Sequence, residues 1–327
     1  MREYKNVSDS SIKVSILCLT FNQKAYIRDA LDSFVSQITD FSYEILVHDD
    51  ASNDGTREIV QEYERRFPDK FRPVYQTENQ YSKGVNIFEE ILVPRARGTY
   101  LAVCEGDDYW TDRKKLQKQA DFLDRHPDYS ACTHSTKIIN CINGRARIYH
   151  PARHSYTLKP EDVILWDRNC FQTSSLMYRK LYAYKPREMN AGEVGDYPLA
   201  LWLLSQGRIY YMKEVMSVYR KMAAGSWSEK RNKMNQLEAK RSLVKAVNRM
   251  LCYYDDYTGR KYSKWIRAVK RRGKTDILSA QGRYREVVRN YRDVWMRYRK
   301  RSMVLLFIRA YFPKTARLAE WVKNNIL

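Results

Sequence analysis

The stretch Tyr100–Thr111, YLAVCEGDDYWT, sets Glu105, Asp107 and Asp108 around a single glycine, Gly106. Adjacent carboxylates repel each other unless a cation or hydrogen-bond donors stand between them. Hard divalent ions such as Mg²⁺ and Mn²⁺ take oxygen ligands and keep positions open for phosphate oxygens. Acidic side chains on a tight glycine turn therefore fit a metal–diphosphate site. The competing reading is structural: a solvated acidic turn in which Asp108 or Asp112 caps a helix beginning near Arg113. The residue types alone leave both open. A second acidic run, His48-Asp49-Asp50-Ala51-Ser52-Asn53-Asp54-Gly55-Thr56, reads either as ligand-binding or as an Asx-turn before a helix. A third acidic position, Asp196, suits a helix N-cap, with Pro198 in the first turn.

These residues need elements to position them. Tyr100–Cys104 reads as a buried strand after the turn signal Gly98. Lys13–Leu19, Tyr43–Val47, Phe71–Gln76 and Tyr129–Ile139 read as further strands. Helices are expected at Lys24–Gln37, Thr56–Phe67, Asn86–Ala96 and Leu116–His126. This alternation predicts an α/β fold with a mostly parallel sheet covered on both faces. Right-handed crossovers then bring His48–Asp50 and Glu105–Asp108 to the edge where such sheets bind ligands. Further on, a short helix is expected at Pro160–Trp166, a strand at Ser174–Tyr178, a helix at Leu199–Ser205, and two strands at Arg208–Met212 and Val215–Arg220.

Composition narrows the classes. The chain has 327 residues and a net charge of +21. Residues 1–228 hold 32 Lys+Arg and 30 Asp+Glu, whereas residues 229–327 hold 27 and 8. So large a shift marks a functional boundary near Ser228. No apolar run approaches the roughly 18 residues of a membrane span, and MREYKNVSDSS has no apolar segment of signal type. The six cysteines are scattered without a CxxC pair and read as reduced thiols of a cytosolic protein. Cys132 and His134 supply at most half of a zinc site.

Five segments, SILCLTFNQ, LVHDDASNDGT, GTYLAVCEGDDYWTDRKKLQKQ, GDYPLALWL and VYRKMAAGSWS, resemble the bacterial glycosyltransferases of family 2, which have the GT-A fold. The resemblance covers residues 12–228. It implies a Rossmann-like catalytic domain over residues 1–228 and a separate basic, mainly helical region over 229–327. It also implies an inverting, metal-dependent enzyme of hexosyltransferase type. Such an enzyme moves a sugar from a nucleotide diphosphate sugar to a hydroxyl of a glycan or lipid-linked acceptor in surface polysaccharide synthesis. Carried over, Asp50 corresponds to the residue that contacts the base, Leu19 and Thr20 line the nucleoside pocket, and Asp107 lies nearer the ribose. Asp108 is the implied ligand of Mn²⁺ or Mg²⁺, and Asp196 the implied catalytic base. Arg220 and Trp227 belong to a late segment that closes over the diphosphate. The chain departs from the family at His48 and Ala51, where Val or Ile and Gly are common, and at Lys221-Met222, where a Val-His pair is common.

Two rivals remain on the residues. A nucleotidyltransferase would need a glycine-rich phosphate loop near the first strand, and TFNQKAY has none. A basic scaffold or nucleic-acid-binding protein would leave the acidic runs idle and shows no recognisable motif. In the basic region, Tyr284, Val287, Val288, Tyr291, Val294, Trp295 and Tyr298 fall on one helical face. That face suits either an anionic membrane surface or packing within a helical subdomain. A cytoplasmic enzyme held peripherally at the inner face of the cell membrane is the expectation.

Overall fold

The computed structural model of the chain describes residues 12–149, 152–165, 170–191, 195–226, 229, 236–295 and 300–315. The chain forms two compact units, residues 1–186 with 199–233, and residues 187–198 with 234–327. The helical unit thus takes a short earlier segment as well as the basic region.

In the first unit, strand β1 (Ile12–Thr20) is buried from Val14 to Cys18 on both faces, as the interior strand of a parallel sheet must be. β2 (Ser42–Asp49) runs parallel to it and sets Leu19 opposite His48 and Thr20 opposite Asp49. β3 (Val74–Tyr75) extends this side in parallel. β4 (Tyr100–Val103) lies parallel to β1 on its other side. The crossover helices are α1 (Ile27–Val35), which buries Ile27, Ala30, Leu31 and Phe34, and α2 (Thr56–Arg66).

Beyond β4 the sheet becomes mixed. It passes through β9 (Met177–Arg179), β6 (Tyr129–Asn140) and β10 (Arg208–Lys221) to β5 (Tyr109–Trp110). β9 is antiparallel to both β4 and β6, and β10 is parallel to β6. Two reversals restore the direction of β4, so the carboxyl end of β10 reaches the same edge as those of β1, β2 and β4. β5 pairs antiparallel with β10 through Tyr109 and Trp110. β7 (Ala146–Tyr149) and β8 (Tyr156–Thr157) add to β6 and β10. The helices α3 (Lys115–Arg125) and α4 (Pro160–Leu165) follow expectation.

Five elements differ from the sequence reading. The strand expected at Phe71–Gln76 is reduced to Val74–Tyr75, and that expected at Ser174–Tyr178 becomes a 3₁₀ turn, Thr173–Ser175, followed by β9. Asn86–Ala96 forms a π-helical turn, Ile87–Leu92, and a 3₁₀ turn, Val93–Arg95, since Pro94 cannot donate an α-helical hydrogen bond. Residues 208–221 are one strand rather than two, because bulges at Met212–Val215 and Val215–Ser217 break the period-2 pattern without ending the strand. α5 (Asp196–Gln206) begins three residues before Leu199, so Asp196 is its first residue and not a cap outside it.

The second unit contains α6 (Gln236–Tyr257), α7 (Ser263–Ala280), α8 (Tyr284–Asn290), α9 (Arg292–Trp295) and α10 (Lys300–Tyr311). Leu278, Val287, Val288, Tyr291, Val294, Leu306 and Ala310 form a core, with Tyr284 and Met303 against it. Most of the face that the sequence offered to a membrane is therefore this unit's own interior. The side chain of Trp295 and all of Tyr298 lie outside the described residues.

Candidate active site

β4 delivers Glu105–Asp108 to the sheet edge. The Gly106 N–H donates to the Leu19 carbonyl at 2.9 Å, and the Asp108 N–H closes the turn on the Glu105 carbonyl at 3.0 Å. A Cβ at Gly106 would stand 2.5 Å from Gln23 Oε1, 2.9 Å from Thr20 Oγ1 and 2.9 Å from Ile27 Cδ1. Only glycine fits so close an approach.

Asp107 and Asp108 are both buried. Asp108 Oδ1 accepts from the Arg220 N–H at 2.9 Å, and the Ser174 hydroxyl donates to the same carboxylate. The Gln23 amide donates to Asp107. Arg220 Nη1 donates to the Asp107 carbonyl at 3.1 Å, and Nη2 pairs with Asp29. Its guanidinium lies 4.6 Å from the Tyr109 ring centre and 5.3 Å from that of Tyr26. Arg220 thus holds the acidic loop with both main chain and side chain. Burial pushes the Asp107 carboxyl up to about 6, against the charge of Arg220 and the hydrogen bond from Gln23. Asp108 is pushed well above the usual carboxylate range by burial, then by the charges of Asp107 and Glu105.

The capping alternative separates at this point. α3 starts at Lys115, and it is Asp112 Oδ1 that accepts from the Lys114 N–H, at 2.8 Å. Asp108 takes no part in that cap; its Oδ1 accepts from the Arg220 N–H. Among the described residues no lysine or arginine side chain forms an ion pair with Asp107 or Asp108. Nor, among them, does a third His, Cys, Asp or Glu complete a ligand cluster. Two neighbouring buried carboxylates fit a hard divalent cation, which commonly takes one or two carboxylates and leaves the rest to phosphates and water. Cys132 and His134 are buried within β6, where Cys132 Sγ contacts the Gln119 carbonyl at 3.7 Å and His134 Nδ1 lies 2.9 Å from the Ser135 carbonyl.

The loop after β2 adjoins the same end of β1. Asp50 is buried, its N–H donating to the Thr20 carbonyl at 3.0 Å. Its two carboxylate oxygens accept from the N–H groups of Gln80 at 2.7 Å and Tyr81 at 3.1 Å. Asp50 is therefore not the Asx-turn residue; Asp54 is, with Oδ1 accepting from the Thr56 N–H at 3.0 Å. Thr20 Oγ1 is buried without a hydrogen-bond partner and points at Gly106. Leu19 is half-buried, with its carbonyl already taken by Gly106. Ala51 adopts φ +65°, the left-handed region where glycine would be unstrained. His48 is fully buried, with Nε2 3.1 Å from Gln76 Nε2.

Asp196 belongs to the segment 187–198 of the second unit. It is half-buried, its Oδ1 accepts from the Tyr197 N–H at 2.8 Å, and burial raises its carboxyl. Trp227 lies outside the described residues. Before it, the Ala224 N–H donates to the Tyr26 hydroxyl at 3.2 Å. Sequence reasoning missed Gln23, Ser174, Asp29 and the Gln80–Tyr81 amides. Gln23 closes the SILCLTFNQ segment and was within reach; Ser174, distant in sequence and small, carries no signal of its role.

Residues 15–184 match the family model "Glycosyl transferase family 2". The uncharacterized protein Mb1547 of Mycobacterium bovis is 38% identical over 214 residues, covering 65% of this chain and 60% of that protein. The chain thus spans less than two thirds of the length of this relative. WfaP of Escherichia coli, a UDP-Glc:alpha-D-GlcNAc-diphosphoundecaprenol beta-1,3-glucosyltransferase, is 25% identical over 251 residues, 74% of this chain and 91% of that protein. Among solved structures, TarS 1–349 of Staphylococcus aureus in complex with UDP-GlcNAc matches with a TM-score of 0.58 and 19% identity, covering 96% of this chain and 92% of that one. Mannosyltransferase PcManGT of Pyrobaculum calidifontis, in complex with GDP-Man and Mn²⁺, matches with a TM-score of 0.55 and 16% identity, covering 98% and 91%. These likenesses fix the fold as GT-A.

Proposed function

Because the chain belongs to glycosyl transferase family 2, we propose that it is an inverting hexosyltransferase. It takes a nucleotide diphosphate sugar as donor and a glycan or lipid-linked hydroxyl as acceptor, in the building of a surface polysaccharide. The observation that carries the reading is the buried Asp107–Asp108 pair at the end of β4, held by Arg220, Gln23 and Ser174. Each of these buried carboxylates disfavours the other's charge, and a bound cation and diphosphate would relieve them. The complexes of TarS with UDP-GlcNAc and of PcManGT with GDP-Man support the donor class, and the lipid-linked substrate in WfaP's name supports the acceptor class.

The reaction is a single displacement. The acceptor oxygen attacks the anomeric carbon as the bond from that carbon to the diphosphate oxygen breaks, and the hydroxyl proton passes to the Asp196 carboxylate. The raised carboxyl of Asp196 suits a proton acceptor, a role worth about 10²–10⁴-fold. Asp108 would hold Mn²⁺ or Mg²⁺, with Asp107 nearer the ribose. When bound, the ion neutralises charge on the departing diphosphate. Thr20 Oγ1, buried and unpartnered, is a ready donor or acceptor for the nucleoside, beside Leu19 and Asp50. Arg220 adds positive charge next to the diphosphate, and Trp227 belongs to the segment that closes over it. The enzyme works in the cytoplasm, held peripherally at the inner face of the membrane where a lipid-linked acceptor lies.

The test is a thermal-shift screen of nucleotide sugars with and without Mn²⁺. A donor at 100 times its dissociation constant should stabilise by about 2.7 kcal/mol. One donor should stand out, and its effect should collapse with EDTA. If no nucleotide sugar shifts the transition in either condition, the reading fails.

A further inference from the structure

Helix α10 is apolar on two faces. Leu306 and Ala310 are buried in the core of the helical unit, with Met303 beside them. At 100° per residue, Phe307, Tyr311, Val304, Ile308, Phe312 and Leu305 project onto the opposite arc, which Lys300 and Arg301 of the first turn share. Five of them are exposed: Val304 by 56%, Leu305 by 44%, Phe307 by 39%, Tyr311 by 40% and Phe312 by 65%. The rings of Phe307 and Tyr311 stack 6.0 Å apart. A cluster of exposed apolar side chains of this kind marks a contact surface.

Charge selects the occupant. Residues 229–327 carry 27 Lys+Arg and 8 Asp+Glu, with Lys300 and Arg301 at the head of α10 and Lys314 just beyond its end. A second copy of the chain would press two such basic surfaces together. A bilayer containing anionic lipid offers opposite charge and an apolar layer beneath it. At 12 residues α10 is about 18 Å long, too short for a hydrocarbon core of about 30 Å, and no described helix is long and apolar enough to cross a membrane.

We propose that α10 lies in the plane of an anionic membrane surface and inserts Val304, Leu305, Phe307, Tyr311 and Phe312 into its interface. This rests on the membrane placement proposed above and replaces the Tyr284–Val294 face, which is buried, as the inserting element.

The full-length chain is tested by flotation with vesicles of phosphatidylcholine alone and of phosphatidylcholine with an equal share of phosphatidylglycerol. Two variants accompany it: the triple change Val304→Ser, Phe307→Ser, Phe312→Ser, and the single change Phe307→Trp. The wild type should bind the anionic vesicles and keep a bound fraction at about 1 M salt, where screening shortens the Debye length to about 3 Å. The triple variant should bind roughly tenfold or more weakly and lose all binding at high salt. In the Phe307→Trp variant, indole emission should gain a blue-shifted component on binding, absent from the wild type, that brominated acyl chains quench. Because the substituted side chains are exposed, the donor-induced thermal shift of the triple variant should equal that of the wild type. That shift separates a failure of this inference from a failure of the enzymatic reading. Equal binding by the triple variant and the wild type overturns the inference. So does wild type that ignores anionic vesicles, including the case in which it forms a dimer that the triple variant abolishes.

Discussion

At Asp108 a carboxylate is kept in place by two neutral donors, the Arg220 N–H and the Ser174 hydroxyl, in surroundings that disfavour its charge. Asp108→Asn keeps size and removes the charge. Sugar transfer should fall by about 10²-fold or more, the Mn²⁺-dependent part of the donor thermal shift should vanish, and the metal-free protein should be no less stable. Asp196→Asn should instead keep the donor shift while transfer falls by about 10²-fold or more. Activity near wild type for either variant sinks the corresponding role. Lys115 makes a separate case. It is fully buried, its Nζ has no hydrogen-bond partner and sits 4.0 Å over the Trp110 ring, and burial brings its pKa down to about 7. The unfolded chain holds that proton up to about 10.4. The folded state is therefore penalised fully below pH 7, and less with each unit of pH above it. Lys115→Met should be more stable than wild type at pH 6.5, with the advantage shrinking steadily toward pH 10 in parallel thermal melts. An advantage that does not change with pH would show that Lys115 is not neutralised on folding. Nothing in the sequence marks Lys115 among its neighbours Lys114 and Lys118, because burial is decided by how α3 packs on the sheet.

The elements were legible where one period ran unbroken. β1, β2, β4, β6 and the helices α1 to α3 lie where their patterns put them. In the sheet's second half β6, β10 and part of β9 were expected, but β5 and β8 were not, because strands of two residues are too short for a pattern and exist through pairing alone. β5 matters most, since its bonds to β10 bring Arg220 onto the acidic loop. Gly98 was readable as punctuation before β4, but its reason is steric. A Cβ there would fall 2.5 Å from the Ser15 amide nitrogen and 2.7 Å from the Val14 carbonyl carbon, and the Gly98 N–H donates to Ser15 Oγ at 2.8 Å. Gly98→Ala must push β1 away from the start of β4, at a cost of about 1–3 kcal/mol. Its melting temperature should drop by several degrees, whereas Gly84→Ala, where the Cβ meets nothing but φ is +78°, should cost only about 1 kcal/mol. Equal melting temperatures for the two variants would refute the steric reading of Gly98.

On the scale of the molecule the charge step near Ser228 and the structural division are different things. The basic region begins near 229, but the helical unit also owns residues 187–198, in which the turn Arg187–Met189 packs on α6 with Met189 fully buried. A chain ending at Ser228 should therefore lose more than vesicle binding. The segment bearing Asp196 would be without α6, so transfer should disappear, while a donor-dependent thermal shift from the sheet unit should survive if that unit still folds. Retained transfer in the shortened chain would show that residues 187–198 hold their shape unaided. The chain enters the helical unit at 187, leaves it within α5 at 199 and returns at 234. An interleaved path of this kind restricts how such proteins can be recombined. A chimera joined once, near residue 230, would combine one parent's Asp196 segment with the other parent's α6. A functional exchange of helical units between relatives needs three crossover points, and families built this way should inherit the proposed base and the helix proposed to face the membrane together.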